Sequence, residues 1–241
     1  MKRLTAVAEP SKLAIMISID IISDTVCPWC YIGKRRLEKA IRERPCYEYR
    51  IGWRPFQLNP DLAVDGIDRD RYLALKFGGA ERARQVYDHV RSAGEAEDIS
   101  FDFDAILRQP NSFDSHRLIR WAARAGVQDG VVEQLFRRYF TEGVDIGAPK
   151  VLREIAAACG MDGGAVGRLL EDDTDRETVE EEEMVARRMG VNGVPCFIVD
   201  RRYAVSGAQD PSVLVNVFDL VAREAEQAVG APQAAEEAAG D

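Results

Sequence analysis

Residues 24–33 read DTVCPWCYIG, and the two cysteines in that run, Cys27 and Cys30, are the residues best placed to do chemistry. Two thiols separated by two residues suit a zinc clamp, a reversible disulfide, or packing alone. Disulfide exchange requires a thiolate, and a free cysteine with a pKa of about 8.5 is mostly protonated at neutral pH. A helix N-terminus lowers that value, because its unpaired N–H groups and its dipole favour negative charge. Pro28 fits the first helical position, where a missing N–H is no loss. Cys27 is therefore expected at the helix start, and Cys30, one turn further in and more shielded, as the thiol that closes the disulfide.

The alternatives need partners that are hard to find. There is no second CxxC and no HExxH, so a zinc site lacks an obvious set of ligands and no metal is expected. Without a GxGxxG or Walker A pattern no nucleotide cofactor is indicated, and dithiol chemistry needs no cofactor beyond the thiols. Cys46 and Cys159 stand where helices are expected to end and read as small buried hydrophobes. Cys196 directly follows Pro195. Strand alternation leaves open whether it shares a face with the motif, where it could capture the disulfide or join a metal site, or turns inward. Of the two histidines, His89 lies in a mostly polar helix and is expected in solvent or partly packed, whereas His116 stands near a helix start.

The elements that must hold the motif can be read from the periodicity. Residues 14–22 are rich in isoleucine and form an expected buried strand; a helix follows to Pro45, then a strand in YEYRIGW, whose alternate residues are Tyr47, Tyr49, Ile51 and Trp53. From about 63 to 190 strand signals vanish and helices follow one another, with spans fitting at 130–142, 149–159 and 174–189. Asn111, Ser112, Asp114 and Ser115 are N-cap candidates for SHRLIRWAARAG. The run EDDTDRETVEEEE reads as a solvated face, with Arg187 and Arg188 ending the same helix in an order that suits its dipole. A hairpin, VPCFIVD and YAVSG turning at Asp200, Arg201 and Arg202, precedes a closing helix capped by Asp210 and Pro211. The expected fold is α/β, a mixed sheet with a helical insertion. Its discontinuous core covers 14–62 and 190–226, with an all-helical insertion at 63–189, an N-terminal extension at 1–13 and a low-complexity tail, expected to be disordered, at 227–241.

Four stretches, DTVCPWCYIGKRRLEKA, WRPFQLNP, NSFDSHRLIRWA and GVNGVPCFIVD, make the chain resemble the DsbA-like branch of the thioredoxin superfamily, specifically its FrnE-like cytoplasmic members. The resemblance implies a thioredoxin-like fold and a protein disulfide oxidoreductase in which Cys27 attacks a disulfide and Cys30 resolves the mixed disulfide. It also implies that Pro195 is cis and faces the cysteines, that Val194 offers its backbone to the substrate, and that His116 lines the helical cap beside the cleft. With Pro28 and Trp29 inside the motif, these are the expected substrate-binding residues. The chain departs from the family at two points. The acidic residue usual six positions before the first cysteine is Ile21 here, with Asp24 nearby but of unknown direction. The histidine of the DsbA motif is Trp29, which carries no charge, so a less acidic Cys27 and a less oxidising disulfide are expected. The same branch contains 2-hydroxychromene-2-carboxylate isomerases and kappa-type glutathione transferases, which typically place serine where Cys27 stands. A glutathione-dependent enzyme of this kind is one alternative; a thiol-independent chaperone-like module with an apolar groove around Trp29 and Phe56 is another.

The chain has 241 residues, a net charge of -9 and a pI near 5.0, which disfavours nucleic acid or an anionic membrane as the main partner. The opening MKRLTAVAEPSK lacks a continuous apolar core, and LAIMISIDII is interrupted by Asp20 and too short to span a bilayer. A cytoplasmic protein acting on protein or small-molecule disulfides and thiols, glutathione among them, is expected.

Overall fold

The computed structural model describes residues 15–230. Its central sheet has four strands, β1 (Met16–Ser23), β2 (Glu48–Pro55), β5 (Cys196–Val199) and β6 (Tyr203–Ser206), in the order β2-β1-β5-β6. Strands β1 and β2 are parallel, which requires a crossover, and helix α1 (Pro28–Glu43) supplies it. Strand β5 is antiparallel to both β1 and β6. The turn between β5 and β6 places Asp200 and Arg201 at φ of 51° and 56°, the left-handed conformations of a tight hairpin.

Alternation along β1 decides what each sheet face carries. Ile17, Ile19 and Ile21 are buried on the face covered by α1 and the closing helix α9 (Pro211–Gly230), together with Phe197, Val199, Leu214 and Phe218. Ile22 and its cross-strand partner Cys196 point the other way, against Phe56 and Ala186. As expected, Asp210 caps α9, its side chain accepting the Ser212 N–H at 2.9 Å. The helix continues through residues 227–230, which the sequence had assigned to the tail; the rest of that tail and the N-terminal extension lie outside the described residues.

Between β2 and β5 the chain forms α2 (Arg69–Phe77), α3 (Ala80–Glu95), α4 (Phe113–Arg124), α5 (Gln128–Glu142), α6 (Pro149–Ala158), α7 (Gly163–Glu171) and α8 (Arg176–Arg188). This stretch, read as all-helical, also contains a two-residue antiparallel ladder, β3 (Ile67–Asp68) with β4 (Arg108–Gln109), too short to leave a periodic signal. Tyr31 of α1 reaches into the segment, stacked on Phe136 at 5.2 Å and edge-on to Phe101 at 6.2 Å, so one apolar cluster runs from the sheet through the helices. Charge closes the same junction. Lys34, buried on α1, lies 3.1 Å from both Asp129 and Glu133 of α5, and Arg35 also pairs with Glu133.

Candidate functional site

The thiols lie at the start of α1. Cys27 is the N-cap residue and Pro28 takes the first helical position; the Cys27 N–H donates to the Asp24 carbonyl at 3.1 Å and the Cys30 N–H to the Cys27 carbonyl at 3.0 Å. Both cysteines are reduced and nearly inaccessible, Cys27 at 5% and Cys30 at 1% exposure. Their environments separate them. A hydrogen bond from the Cys30 thiol, supported by the Cys30 and Trp29 backbone N–H groups, holds Cys27 below its ordinary value against burial and the nearby Asp24 carboxylate. Burial, then the bond to Cys27 and its charge, push Cys30 well above its ordinary value, only partly offset by the Ser23 hydroxyl and the Asp24 backbone. Two thiols shifted in opposite directions thus sit one turn apart.

The segment before β5 closes over them. The Val194–Pro195 bond is cis, and the Cys27 thiol faces the Val194 carbonyl at 3.6 Å. Gly33 permits this approach: a Cβ there would lie 2.8 Å from Pro195 Cγ and 3.1 Å from Phe197 Cζ. A glycine inside a helix is unfavourable by itself by about 1 kcal/mol relative to alanine, so its presence was the available clue to close packing. On the outer side, half-buried Trp29 meets the exposed His89 ring of α3 at a centroid distance of 5.7 Å. Tyr87 of the same helix is pushed up chiefly by burial, and its hydroxyl accepts from the Arg69 guanidinium at 2.8 Å.

Asp24 is fully buried and organises the loop around Cys27. Its carboxylate accepts the Leu58 N–H at 2.7 Å and the Val26 N–H at 3.4 Å, tying the motif to the segment after β2. His116, expected beside bound substrate, is buried instead, with Nε2 at 3.5 Å from Asp24 Oδ1, so it would touch a ligand only if this corner opened. Beside it the Thr25 and Ser115 hydroxyls are 2.7 Å apart. Behind the loop, an open cavity of about 440 Å³ lined by Gln57, Asn111, Glu183 and Arg187 includes neither cysteine nor Pro195, which places it outside the sulfur chemistry.

Several single-residue expectations need correction. Cys46 is exposed and Cys159 half-exposed, because the helix ends they follow face solvent. Cys196, whose direction strand alternation left open, stands on the sheet face opposite the motif, where burial pushes its thiol up, and no group of three or more metal-ligating side chains occurs among the described residues. Within the acidic run read as a solvated face, Glu183 is buried and accepts the Gln57 N–H at 3.1 Å.

The DSBA-like thioredoxin domain family matches residues 18–219. The chain belongs to that family. A probable DsbA oxidoreductase of Streptomyces coelicolor is 30% identical, with a TM-score of 0.77 over 86% of this chain and 91% of that one. The uncharacterized protein YwbO of Bacillus subtilis is 22% identical over 76% of this chain and 86% of its own length. Two more distant structures share the fold. A cytosolic disulfide reductase of Pseudomonas aeruginosa, solved with glutathione, is 19% identical at a TM-score of 0.56, covering 88% of this chain and 99% of that one. A 2-hydroxychromene-2-carboxylate isomerase is 16% identical at 0.62, covering 88% and 98%. Among the described residues no helix is long and apolar enough to cross a membrane.

Proposed function

We propose that this chain is a thiol-disulfide oxidoreductase working by dithiol exchange through Cys27 and Cys30. The observation that carries the reading is the placement of both thiols at one helix start, with Cys27 as N-cap facing the Val194 carbonyl before cis-Pro195, in surroundings that favour the Cys27 thiolate and the Cys30 thiol. In the reductive direction the Cys27 thiolate attacks one sulfur of a substrate disulfide, forming a mixed disulfide and expelling the other substrate sulfur as thiolate. Cys30, giving up its proton, then attacks Cys27, closing the protein disulfide and releasing the second substrate thiol. Two electrons pass from protein to substrate; the reverse sequence oxidises a dithiol.

Substrate would lie along Pro28, Trp29 and the Val194 backbone with cis-Pro195 at its floor, since the Val194 carbonyl faces the Cys27 sulfur and Pro28 and Trp29 follow it at the helix start. His116 takes a positioning role in this reading, acting through Asp24. Residues 14–62 and 190–226 would form the redox core, with 63–189 as the cap that meets Trp29 through His89. The cytosolic setting and the glutathione named for the Pseudomonas reductase are carried to this chain as part of the same proposal. A reducing compartment keeps such a pair available as a reductant.

Equilibration with graded reduced and oxidised glutathione, followed by thiol trapping and mass assignment, tests the reading. A reversible two-electron Cys27–Cys30 couple is expected at a potential between about -120 mV, as in DsbA, and about -270 mV, as in thioredoxin. A stable glutathione adduct at Cys27 without an intramolecular disulfide would overturn the dithiol mechanism and favour a glutathione-dependent enzyme of the same fold.

A further inference from the structure

Helix α8 packs one side against the fold through Val179, Glu183 and Ala186, all buried. Its outward stripe, at i, i+3, i+4 and i+7, is Glu181, Met184, Val185 and Arg188. Met184 and Val185 are 48% and 46% exposed, and Met189 just beyond is 57% exposed. Single exposed apolar residues are ordinary, but these three fall within six positions at the C-terminal end of one helix. Val185 and Met189 also open onto a groove of about 430 Å³ floored by Ile22 and Ile198 of the sheet, with Arg201 at its rim.

The charges on the stripe are arranged about that apolar centre. Neighbouring Glu182 and Glu183 are engaged by Arg120 and Arg187, whereas among the described residues neither Glu181 nor Arg188 belongs to an ion pair. The helix dipole accounts for acid first and base last along α8. It gives no reason for an exposed apolar centre midway between them on the same face.

We propose that α8 is the contact surface for a second copy of this chain, paired antiparallel about a two-fold axis between Met184 and Val185. Residues 181 and 188 are equidistant from that point, so the axis sets Glu181 of each copy against Arg188 of the other and Met184 against Val185. The contact is self-complementary, as a two-fold interface must be. A parallel pairing would instead set Glu181 on Glu181.

Sedimentation equilibrium over graded protein concentrations tests this with four samples: the unaltered chain, Glu181→Arg, Arg188→Glu, and an equimolar mixture of the two variants. Circular dichroism first establishes that each is folded. The unaltered chain is expected to dimerise reversibly. Each reversal creates two like-charge contacts and should raise the dimer dissociation constant roughly tenfold or more. In the mixed dimer both contacts are again between opposite charges, so the mixture should regain most of the lost association. An unaltered chain that stays monomeric at every concentration overturns the proposal. So does a dimer indifferent to either reversal, or a mixture that associates no better than the single variants. Because the readout is mass and not thiol chemistry, these outcomes stand apart from those of the redox titration.

Discussion

Burial ordinarily keeps a thiol protonated, because it removes the water that would solvate the thiolate, and Cys27 is buried. What reverses the balance is the Cys30 thiol one turn away, donating into Cys27 with the adjoining backbone N–H groups. Replacing Cys30 with alanine removes that donor and leaves the burial and the Asp24 charge in place. The pH at which Cys27 alkylation reaches half its maximal rate should therefore lie below an ordinary thiol's in the unaltered protein and move upward in Cys30→Ala. Rates of iodoacetamide labelling across pH, with the site assigned by mass, check this; an unmoved midpoint would remove the thiol–thiol bond from the account. Gly33 supplies a second expectation at this scale. Alanine there would gain about 1 kcal/mol of helix propensity but force Pro195 and Phe197 aside, a strain of about 1–3 kcal/mol. The Gly33→Ala protein should melt no higher than the unaltered one and exchange disulfides more slowly, because displacing Pro195 shifts the adjoining Val194 carbonyl that faces the Cys27 thiol. A higher melting temperature with unchanged exchange would contradict the packing.

The elements differ in how far they can be read from sequence, and the reasons are physical. Strands β1 and β2, the hairpin β5–β6 and helices α1 and α9 carry strong local signals: an isoleucine-rich run, alternating aromatics, a polar corner, Pro28 and the Asp210–Pro211 cap. The CPWC run could be singled out because its chemistry is local, whereas Pro195 was marked only by the family resemblance. What could not be read are contacts made across the chain. The ladder of β3 with β4 joins residues about forty apart, and the burial of Glu183 depends on a backbone N–H at Gln57. Arg117 is the clearest instance. It stands in SHRLIRWA with no local sequence signal that sets it apart from Arg120, yet it is fully buried. Its guanidinium donates to the carbonyls of Leu169 at 2.6 Å, Asp172 at 2.7 Å and Thr174 at 2.8 Å, and lies over the Trp121 ring. It thereby pins the connection from α7 to α8 onto α4. Lysine presents a point charge in place of a planar fork and cannot serve these acceptors together. Arg117→Lys should cost about 2–3 kcal/mol and Arg117→Leu, which leaves several buried carbonyls unpaired, about 3–5 kcal/mol. Urea unfolding measures both; a loss under about 0.5 kcal/mol, the level of an ordinary surface substitution, would show that the network is dispensable.

At the scale of the whole molecule, the question is whether the helical segment and the sheet are separable. Chains beyond about 150 residues often unfold through intermediates, and an inserted segment with its own core would be the natural first piece to go. This segment does not keep its core to itself. Tyr31, one residue after Cys30, packs on Phe136 and Phe101, and the apolar cluster that begins with Ile17 and Cys30 continues without a break to Leu152 and Val166. Burial and Glu133 push the Tyr31 phenol up to about 12, so its hydroxyl stays protonated and donates to Glu133 throughout the physiological range. Unfolding the segment alone would expose this shared surface on both sides and break the Lys34 and Arg35 pairs to α5. The molecule is therefore expected to unfold in one transition. Far-UV circular dichroism reports the helices, while tryptophan fluorescence samples Trp29 in α1, Trp53 in the sheet and Trp121 in α4. The two curves should coincide in urea, and Tyr31→Ala should shift both together by an amount equivalent to about 3–5 kcal/mol. If the helical signal were lost first, with Trp53 still buried, the junction at Tyr31 would be a contact between two independent units and not a shared core.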